Sequence, residues 1–152
     1  MTERELMTRA IKLAKEAYDD GEIPVGAVVS KDGVIIGEGR NRCEKYLLPT
    51  RHAEIEAIEN ACRNLKTKTL SGCVIYSTLE PCPMCAGAII NARISKAVFG
   101  AYEKNFGSLS SVTDLSREKY PTVPETQCGF MEDECSYILT QFFRNLRKEN
   151  KK

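Results

Sequence analysis

The stretch CVIYSTLEPCPMC, residues 73–85, decides how this chain folds, because a strand there runs into a helix at two cysteines. Its first half is rich in β-branched, aromatic and other apolar side chains, which predicts a strand over 73–79. Cys82 is followed by proline, which a helix tolerates at its first position, where an N–H would have no partner. Small and apolar residues then predict a helix over 83–92. Cys82 and Cys85 are therefore expected at the first turn of that helix.

The segments on either side predict more helices and strands. Amphipathic spacing and apolar runs predict helices over 3–19, 52–65 and 133–148, and strands over 25–30, 34–39 and 97–100. Asp32-Gly33 predicts a tight turn between the first two strands. Residues 103–130 are polar and predict no regular element. This order of elements is typical of a layered α/β domain with a mixed sheet.

The last helix is expected to bury one apolar face. The residues spaced along that face are Ile138, Leu139, Phe142, Phe143 and Leu146. Helical periodicity of this kind is typical of a helix that packs against a core. We therefore expect all five side chains to turn inward.

Length and charge limit the class of protein. The 152 residues suit one ordinary domain, so residues 1–152 are expected to form a single domain. Basic and acidic residues nearly cancel, 22 against 21, which excludes a nucleic-acid binder that works by bulk positive charge. This balance still allows a local basic patch, and positive charge is concentrated at the end of the chain, over 144–152. Charge alone is more typical there of a solvated terminus.

The sequence contains no run long and apolar enough to span a bilayer, and its first residues lack the apolar stretch of a signal peptide. We therefore expect a cytoplasmic protein without a membrane partner. Its seven cysteines are odd in number and are not expected to form a disulfide framework in a reducing compartment. Four of them lack a paired spacing and are expected to be buried as small apolar residues: Cys43, Cys73, Cys128 and Cys135.

Cys82, Cys85 and the only histidine, His52, have the chemistry of a metal site. Cysteines at i and i+3 present both sulfurs on one face of a turn, a spacing that tetrahedral zinc accepts. His52 supplies a third ligand, whereas Cys62 lies about 15 Å further along a helix, too far to share the ion. Three protein ligands and an open position are typical of a catalytic zinc. A Cys-x-x-Cys pair alone could instead be a thiol redox pair, but that would leave His52 and Glu54 without a role.

Glu54 is the candidate proton carrier. Attack of hydroxide on an electrophilic carbon needs a base for the water proton and an acid for the leaving group. Residues two apart point to nearly opposite sides of a regular helix, so His52 and Glu54 can face one ion only at an irregular first turn. Residues 49–50, Pro-Thr, make a helix start plausible there.

Together these residues resemble the His-Ala-Glu and Pro-Cys-x-x-Cys signature of the cytidine deaminase-like superfamily of zinc deaminases. The chain further resembles the bacterial tRNA adenosine deaminases, over segments 21–27, 39–42, 49–54, 78–89 and 134–147. This resemblance implies a three-layer α/β/α fold with a mixed sheet of about five strands and one zinc ion per chain. It also implies a homodimer that converts adenosine to inosine at the wobble position of a tRNA anticodon stem-loop.

The resemblance also implies roles for residues outside the two motifs. Asn41 matches the asparagine that hydrogen-bonds the target base, and Ala53 matches the position whose backbone N–H meets that base. The wall of the base pocket corresponds to Val25, Gly26 and Ala27. The helix that lies against the anticodon stem-loop corresponds to Phe143, Arg144 and Arg147. Asn41 could instead be a turn asparagine that closes a strand, which is the weaker hypothesis, and Val25 and Ala27 also suit a core strand.

Some segments depart from the family and keep other functions open. Residues 103–110 keep only part of a Gly-rich segment, and residues 121–125 replace an Asn-His pair. Pro-Cys-Pro-Met-Cys, residues 81–85, also resembles guanine deaminases. The alternative is therefore deamination of a free nucleobase, nucleoside or nucleotide of the guanine or cytosine type. A non-catalytic, zinc-stabilised RNA-binding subunit is a third hypothesis, which the presence of Glu54 disfavours.

Overall fold

In the computed structural model of this protein, which describes residues 1–151, a five-stranded sheet lies between two layers of helices. Lys152, the last residue of the predicted domain, lies outside the described residues. The helices are α1 (Glu3–Asp19), α2 (Cys43–Tyr46), α3 (Ala53–Leu65), α4 (Pro83–Asn91) and α5 (Glu132–Asn150). The strands are β1 (Gly26–Lys31), β2 (Val34–Arg40), β3 (Cys73–Leu79), β4 (Lys96–Ala101) and β5 (Glu125–Gln127).

The sheet is mixed, with strand order β2-β1-β3-β4-β5. β1 pairs antiparallel with both β2 and β3, whereas β3, β4 and β5 run parallel. A parallel pair needs a long crossover, and α4 supplies it between β3 and β4. The carboxyl end of β3 therefore leads directly into α4.

Alternate residues of the strands face two separate cores, so the sheet is covered on both faces. Ala27, Val29 and Phe99 pack with α3 and α4 in one core. Val28 and Val98 point the other way, into a core with α1 and α5. These layers confirm the predicted α/β/α fold with a mixed sheet of about five strands.

The predicted elements agree with the structure to within two residues at each end. Elements of the polar or short segments were not predicted: α2, β5 and a 3-10 turn at Leu115–Arg117. Among residues 1–151, none of the helices combines the length and apolar character needed to cross a membrane.

Two predictions of burial are wrong in part. Phe143 and Leu146 are each 41% exposed, because the contacts of α5 with the core end at Leu139. Cys128 is exposed directly after β5, whereas Cys73 and Cys135 are buried as predicted. Cys43 is half-buried.

Glycines allow β2 to lie directly against the backbone of α3. A Cβ atom at Gly37 would lie 2.4 Å from the carbonyl oxygen of Ala57 and 2.5 Å from the nitrogen of Ala61. At Gly39 it would lie 2.2 Å from the carbonyl oxygen of Ala53. Backbone atoms cannot rotate away as side chains do, so these positions require glycine. This contact fixes the start of α3 relative to the sheet.

We expect Gly37→Ala to destabilise the fold by about 1–3 kcal/mol, because the added methyl forces strand and helix apart. Gly87→Ala in α4 is the matched control, since a Cβ there has no neighbour within 4 Å. That control should be neutral or stabilising by about 0.5–1 kcal/mol. Urea unfolding measures both changes, and equal midpoints for the two variants would contradict the close-packing argument.

Candidate metal centre and active site

The amino ends of two helices meet at one point. His52 is the N-cap residue of α3 and Cys82 is the N-cap residue of α4, both with extended backbone. Neither side chain makes a capping hydrogen bond, so both are free to face the same space. Cys85 lies one turn into α4 and is fully buried. The predicted ligands are thus brought together from distant parts of the sequence.

The spacing of these three side chains fits a tetrahedral ion. Their ligand atoms all lie within 4.8 Å of one another. The Nδ1 atom of His52 lies 3.6 Å from Cys82 Sγ and 3.5 Å from Cys85 Sγ. A tetrahedral zinc with Zn–N of about 2.0 Å and Zn–S of about 2.3 Å places nitrogen and sulfur about 3.5 Å apart. The three donor atoms and the distances between them therefore fit zinc, with a fourth position left for a small ligand.

Hydrogen bonds link the three predicted ligand side chains. Hydrogen bonds from Cys85 and His52 lower the pKa of Cys82 to about 4, so that Cys82 is a thiolate at neutral pH. The hydrogen bond to Cys82 raises the pKa of His52, and the same thiolate together with burial raises the pKa of Cys85. The positive ends of the helix dipoles favour the thiolate as well. Zinc binds cysteine as the thiolate and histidine through an unprotonated ring nitrogen, so we expect metal binding to depend on pH.

Glu54 lies beside this group, as the second residue of α3. Its side chain is only 4% exposed, and burial raises its pKa to about 7, although nearby His52 opposes that shift. The extended backbone of His52 (φ −78°, ψ 154°) sets it outside the helical repeat. His52 and Glu54 can therefore face one side, and the irregular first turn that the sequence required is present.

Asn41 and Ala53 lie next to the centre and are bonded to each other. The Ala53 N–H donates to Asn41 Oδ1 over 2.9 Å, and Asn41 Nδ2 donates to the Ile23 carbonyl over 3.0 Å. The Asn41 side chain thus joins the end of β2, the loop before β1 and the start of α3. Their predicted contacts with a base stay predictions.

The residues predicted to form a pocket wall have different orientations. Val25 and Ala27 are buried in the core that also contains Ala53, on the side of the metal centre. Gly26 presents its Cα hydrogens to α1, where a Cβ would lie 2.0 Å from the Ala10 carbonyl oxygen. Any contact of Gly26 with a bound base would therefore come from its backbone.

The predicted RNA-contacting residues are separate from the centre. Phe143, Arg144 and Arg147 lie towards the end of α5 and are all exposed. α5 packs against the face of the sheet opposite to α3 and α4.

The chain is similar to known proteins over nearly its whole length. Residues 1–147 match the family of MafB19-like deaminases. The chain belongs to that deaminase family. It is 43% identical over 153 residues to the tRNA-specific adenosine deaminase of Bacillus subtilis (strain 168), covering 99% of this chain and 95% of the relative.

Solved structures of deaminases are similar to this chain over most of its length. A structure from studies of A-to-I editing by tRNA:A34 deaminases at the wobble position has a TM-score of 0.85 and 37% identity, covering 90% of this deaminase and 99% of that chain. The guanine deaminase of Bacillus subtilis has a TM-score of 0.63 and 36% identity, covering 95% of each chain.

Two buried carboxylates that sequence reasoning missed hold the loops around the site of this deaminase. Glu22 accepts hydrogen bonds from the N–H groups of Glu44 and Lys45, both 2.9 Å, and so caps α2. Glu80, directly before Pro81, accepts several bonds from residues 103–111. Their partners are distant in sequence, and the only available signal was an acidic residue at the edge of an apolar run.

We expect His52→Ala and Cys82→Ala to lose bound zinc, because each leaves only two ligands in the centre. Cys62→Ala is the control, since this half-buried cysteine lies outside the group. Elemental analysis of the purified proteins should find one zinc per chain in the wild type and the control. Full occupancy in either ligand variant would contradict the assignment.

Proposed function

We propose that this chain is a zinc-dependent hydrolytic deaminase that converts adenosine to inosine at the wobble position of tRNA. The observation that carries the proposal is the buried Glu54 carboxyl beside the His52, Cys82 and Cys85 side chains. Full-length similarity to a tRNA-specific adenosine deaminase supports the substrate. Similarity to a tRNA:A34 deaminase structure supports the wobble position.

The three ligands would be His52 Nδ1, Cys82 Sγ and Cys85 Sγ, and one ion would be held by each chain. When bound, zinc lowers the pKa of water so that hydroxide is available at neutral pH. Both sulfurs would be thiolates in the metal-bound form, and the amino ends of α3 and α4 favour that state.

Glu54 would carry the protons. It takes a proton from the attacking water and delivers it to the ring nitrogen next to the amino-bearing carbon. A carbon–oxygen bond would form at that carbon. Glu54 would then pass the proton of the new hydroxyl to the amino group, the carbon–nitrogen bond would break, and ammonia would leave as the carbonyl forms. A pKa near 7 allows the carboxyl both to accept and to donate at neutral pH.

The base would be recognised next to this carboxyl. Asn41 Oδ1 has a second lone pair, so it can accept a hydrogen bond from the base while it still accepts one from the Ala53 N–H. In the other arrangement, the base replaces Asn41 Oδ1 as the acceptor of the Ala53 N–H. Val25, Gly26 and Ala27 would form the wall beside the ring.

The RNA and a second copy of the chain would complete the assembly. Phe143, Arg144 and Arg147 would contact the anticodon stem-loop, the arginines through phosphates. We also propose that residues 1–152 are a single deaminase domain and that the protein is a cytoplasmic homodimer. Sedimentation velocity tests the dimer: a single species with the mass of one chain would contradict it.

A second candidate is deamination of free guanine. Pro-Cys-Pro-Met-Cys at 81–85 and the 36% identity to the guanine deaminase of Bacillus subtilis favour it. The TM-score to that structure is 0.63, against 0.85 for the tRNA:A34 deaminase structure, which supports the RNA substrate instead.

We expect the zinc-loaded wild type to form inosine in an anticodon stem-loop with adenosine at the wobble position. Glu54→Gln should lower the rate by at least about 10²–10⁴-fold, because it removes the proton carrier. It should keep its zinc, since Glu54 is not a ligand. Chromatography of the digested RNA measures inosine, and elemental analysis measures the metal.

Glu118→Gln is the matched control, because Glu118 is exposed and outside the site. A Glu54→Gln variant that keeps zinc and retains the wild-type rate would rule out the proposed role of Glu54.

A further inference from the structure

A single buried carboxylate holds the turn at residues 103–111. The Glu80 side chain is 1% exposed and accepts hydrogen bonds from the N–H groups of Glu103 (3.1 Å), Leu109 (3.3 Å) and Ser111 (2.8 Å). The Ser111 hydroxyl donates a fourth bond over 2.5 Å. Among the described residues, Glu80 forms no ion pair, so these donors alone stabilise its charge. Both ends of the turn are therefore fixed by one side chain.

The same turn contacts the segment that leads into the predicted metal ligand Cys82. The Ser108 N–H donates to the Pro81 carbonyl over 2.9 Å, and Pro81 directly precedes Cys82. A Cβ at Gly107 would lie 2.4 Å from Glu80 Cδ, so only glycine allows this approach. The turn is thus held in place beside the candidate active site.

The tip of the turn presents an aromatic ring. Phe106 is 63% exposed, although the residues that follow it, Gly107, Ser108 and Leu109, are all buried. Lys104 in the same turn is exposed and, within residues 1–151, forms no ion pair. A single exposed apolar side chain is ordinary on a protein surface. An aromatic ring and a free ammonium group on a fixed turn beside an active site match an unpaired base and its phosphate.

We propose that Phe106 stacks on an unpaired base that flanks the target adenosine, with Glu80 as the positioning residue of the turn. The proposal rests on the proposed function, because it takes a single-stranded RNA loop as the substrate. It accounts for a buried carboxylate that is not needed to hold the metal.

The chain contains no tryptophan, so Phe106→Trp introduces a single indole fluorophore at the tip of the turn. Stacking of a base on the indole quenches its fluorescence. Val34→Trp is the matched control, because Val34 is 62% exposed and lies beyond the opposite end of β1 from the site. Both substitutions are made in the zinc-loaded Glu54→Gln protein, so that the stem-loop is bound without being converted.

We expect the anticodon stem-loop to quench the Phe106→Trp protein and to leave the Val34→Trp protein unchanged. A blunt-ended, fully paired RNA duplex of two strands should quench neither. Phe106→Ala should weaken binding of the stem-loop by about 5- to 150-fold, the range for loss of one stacked base. Val34→Ala should leave the affinity unchanged.

Glu80→Gln tests the positioning role, because the amide nitrogen would face N–H donors. It should weaken stem-loop binding and keep the zinc content, and the loss should be much smaller in a Phe106→Ala background. Ser111→Ala, which removes only the hydroxyl donor, should give the same pattern to a lesser extent if Glu80→Gln does not fold. Equal losses in both backgrounds would contradict the link between Glu80 and Phe106.

The outcomes separate the two proposals. Wild-type deamination of the stem-loop combined with full affinity of Phe106→Ala overturns the stacking proposal alone. Equal quenching by the fully paired duplex also overturns it, since stacking needs an unpaired base. A wild type that releases ammonia only from a free base overturns the proposed RNA substrate, and the stacking proposal with it.

Discussion

The structure depends on the meeting of two helix amino termini at one point. His52 and Cys82 occupy the N-cap positions of α3 and α4, where the backbone is extended and the side chain is released from the helical repeat. The helix dipoles add positive potential there, which stabilises the thiolate of Cys82. Burial in the same place raises the pKa of Glu54 to about 7. One arrangement of backbone thus supplies ligands for a cation and a carboxyl that can exchange protons.

The rest of the fold keeps these two helix ends together. α4 follows β3 directly, so Cys82 is placed by the strand, while α3 must be placed by packing. Its contact face consists of Ala53, Ala57 and Ala61, and β2 meets it with glycines at positions 37 and 39. Small residues on both sides bring the backbones close together and leave little freedom for α3 to slide. The hydrogen bond from Ala53 to Asn41 then fixes its first turn.

The sequence predicts best what depends on neighbouring residues. The i, i+3 cysteines with proline between them predicted the start of α4, and the Pro-Thr pair before Arg51 made a helix start near His52 plausible. The long periodic elements were also predictable. The segments that were missed, α2 and the turn after β4, are held by Glu22 and Glu80 through backbone groups distant in sequence. Phe143 was predicted to be buried and is exposed, because the spacing of apolar residues does not show where the core that α5 packs against ends.

The central claim is that this site acts on adenosine in an RNA loop. The most direct measurement compares kcat/KM of the zinc-loaded protein for the anticodon stem-loop with its values for free adenosine, cytidine, cytosine and guanine. The account predicts ammonia release from the stem-loop and little or none from the free compounds, because contacts beyond the base supply the binding. A higher kcat/KM for free guanine, or for any of the other free compounds, would contradict it, although the roles of His52, Glu54, Cys82 and Cys85 in deamination would stand.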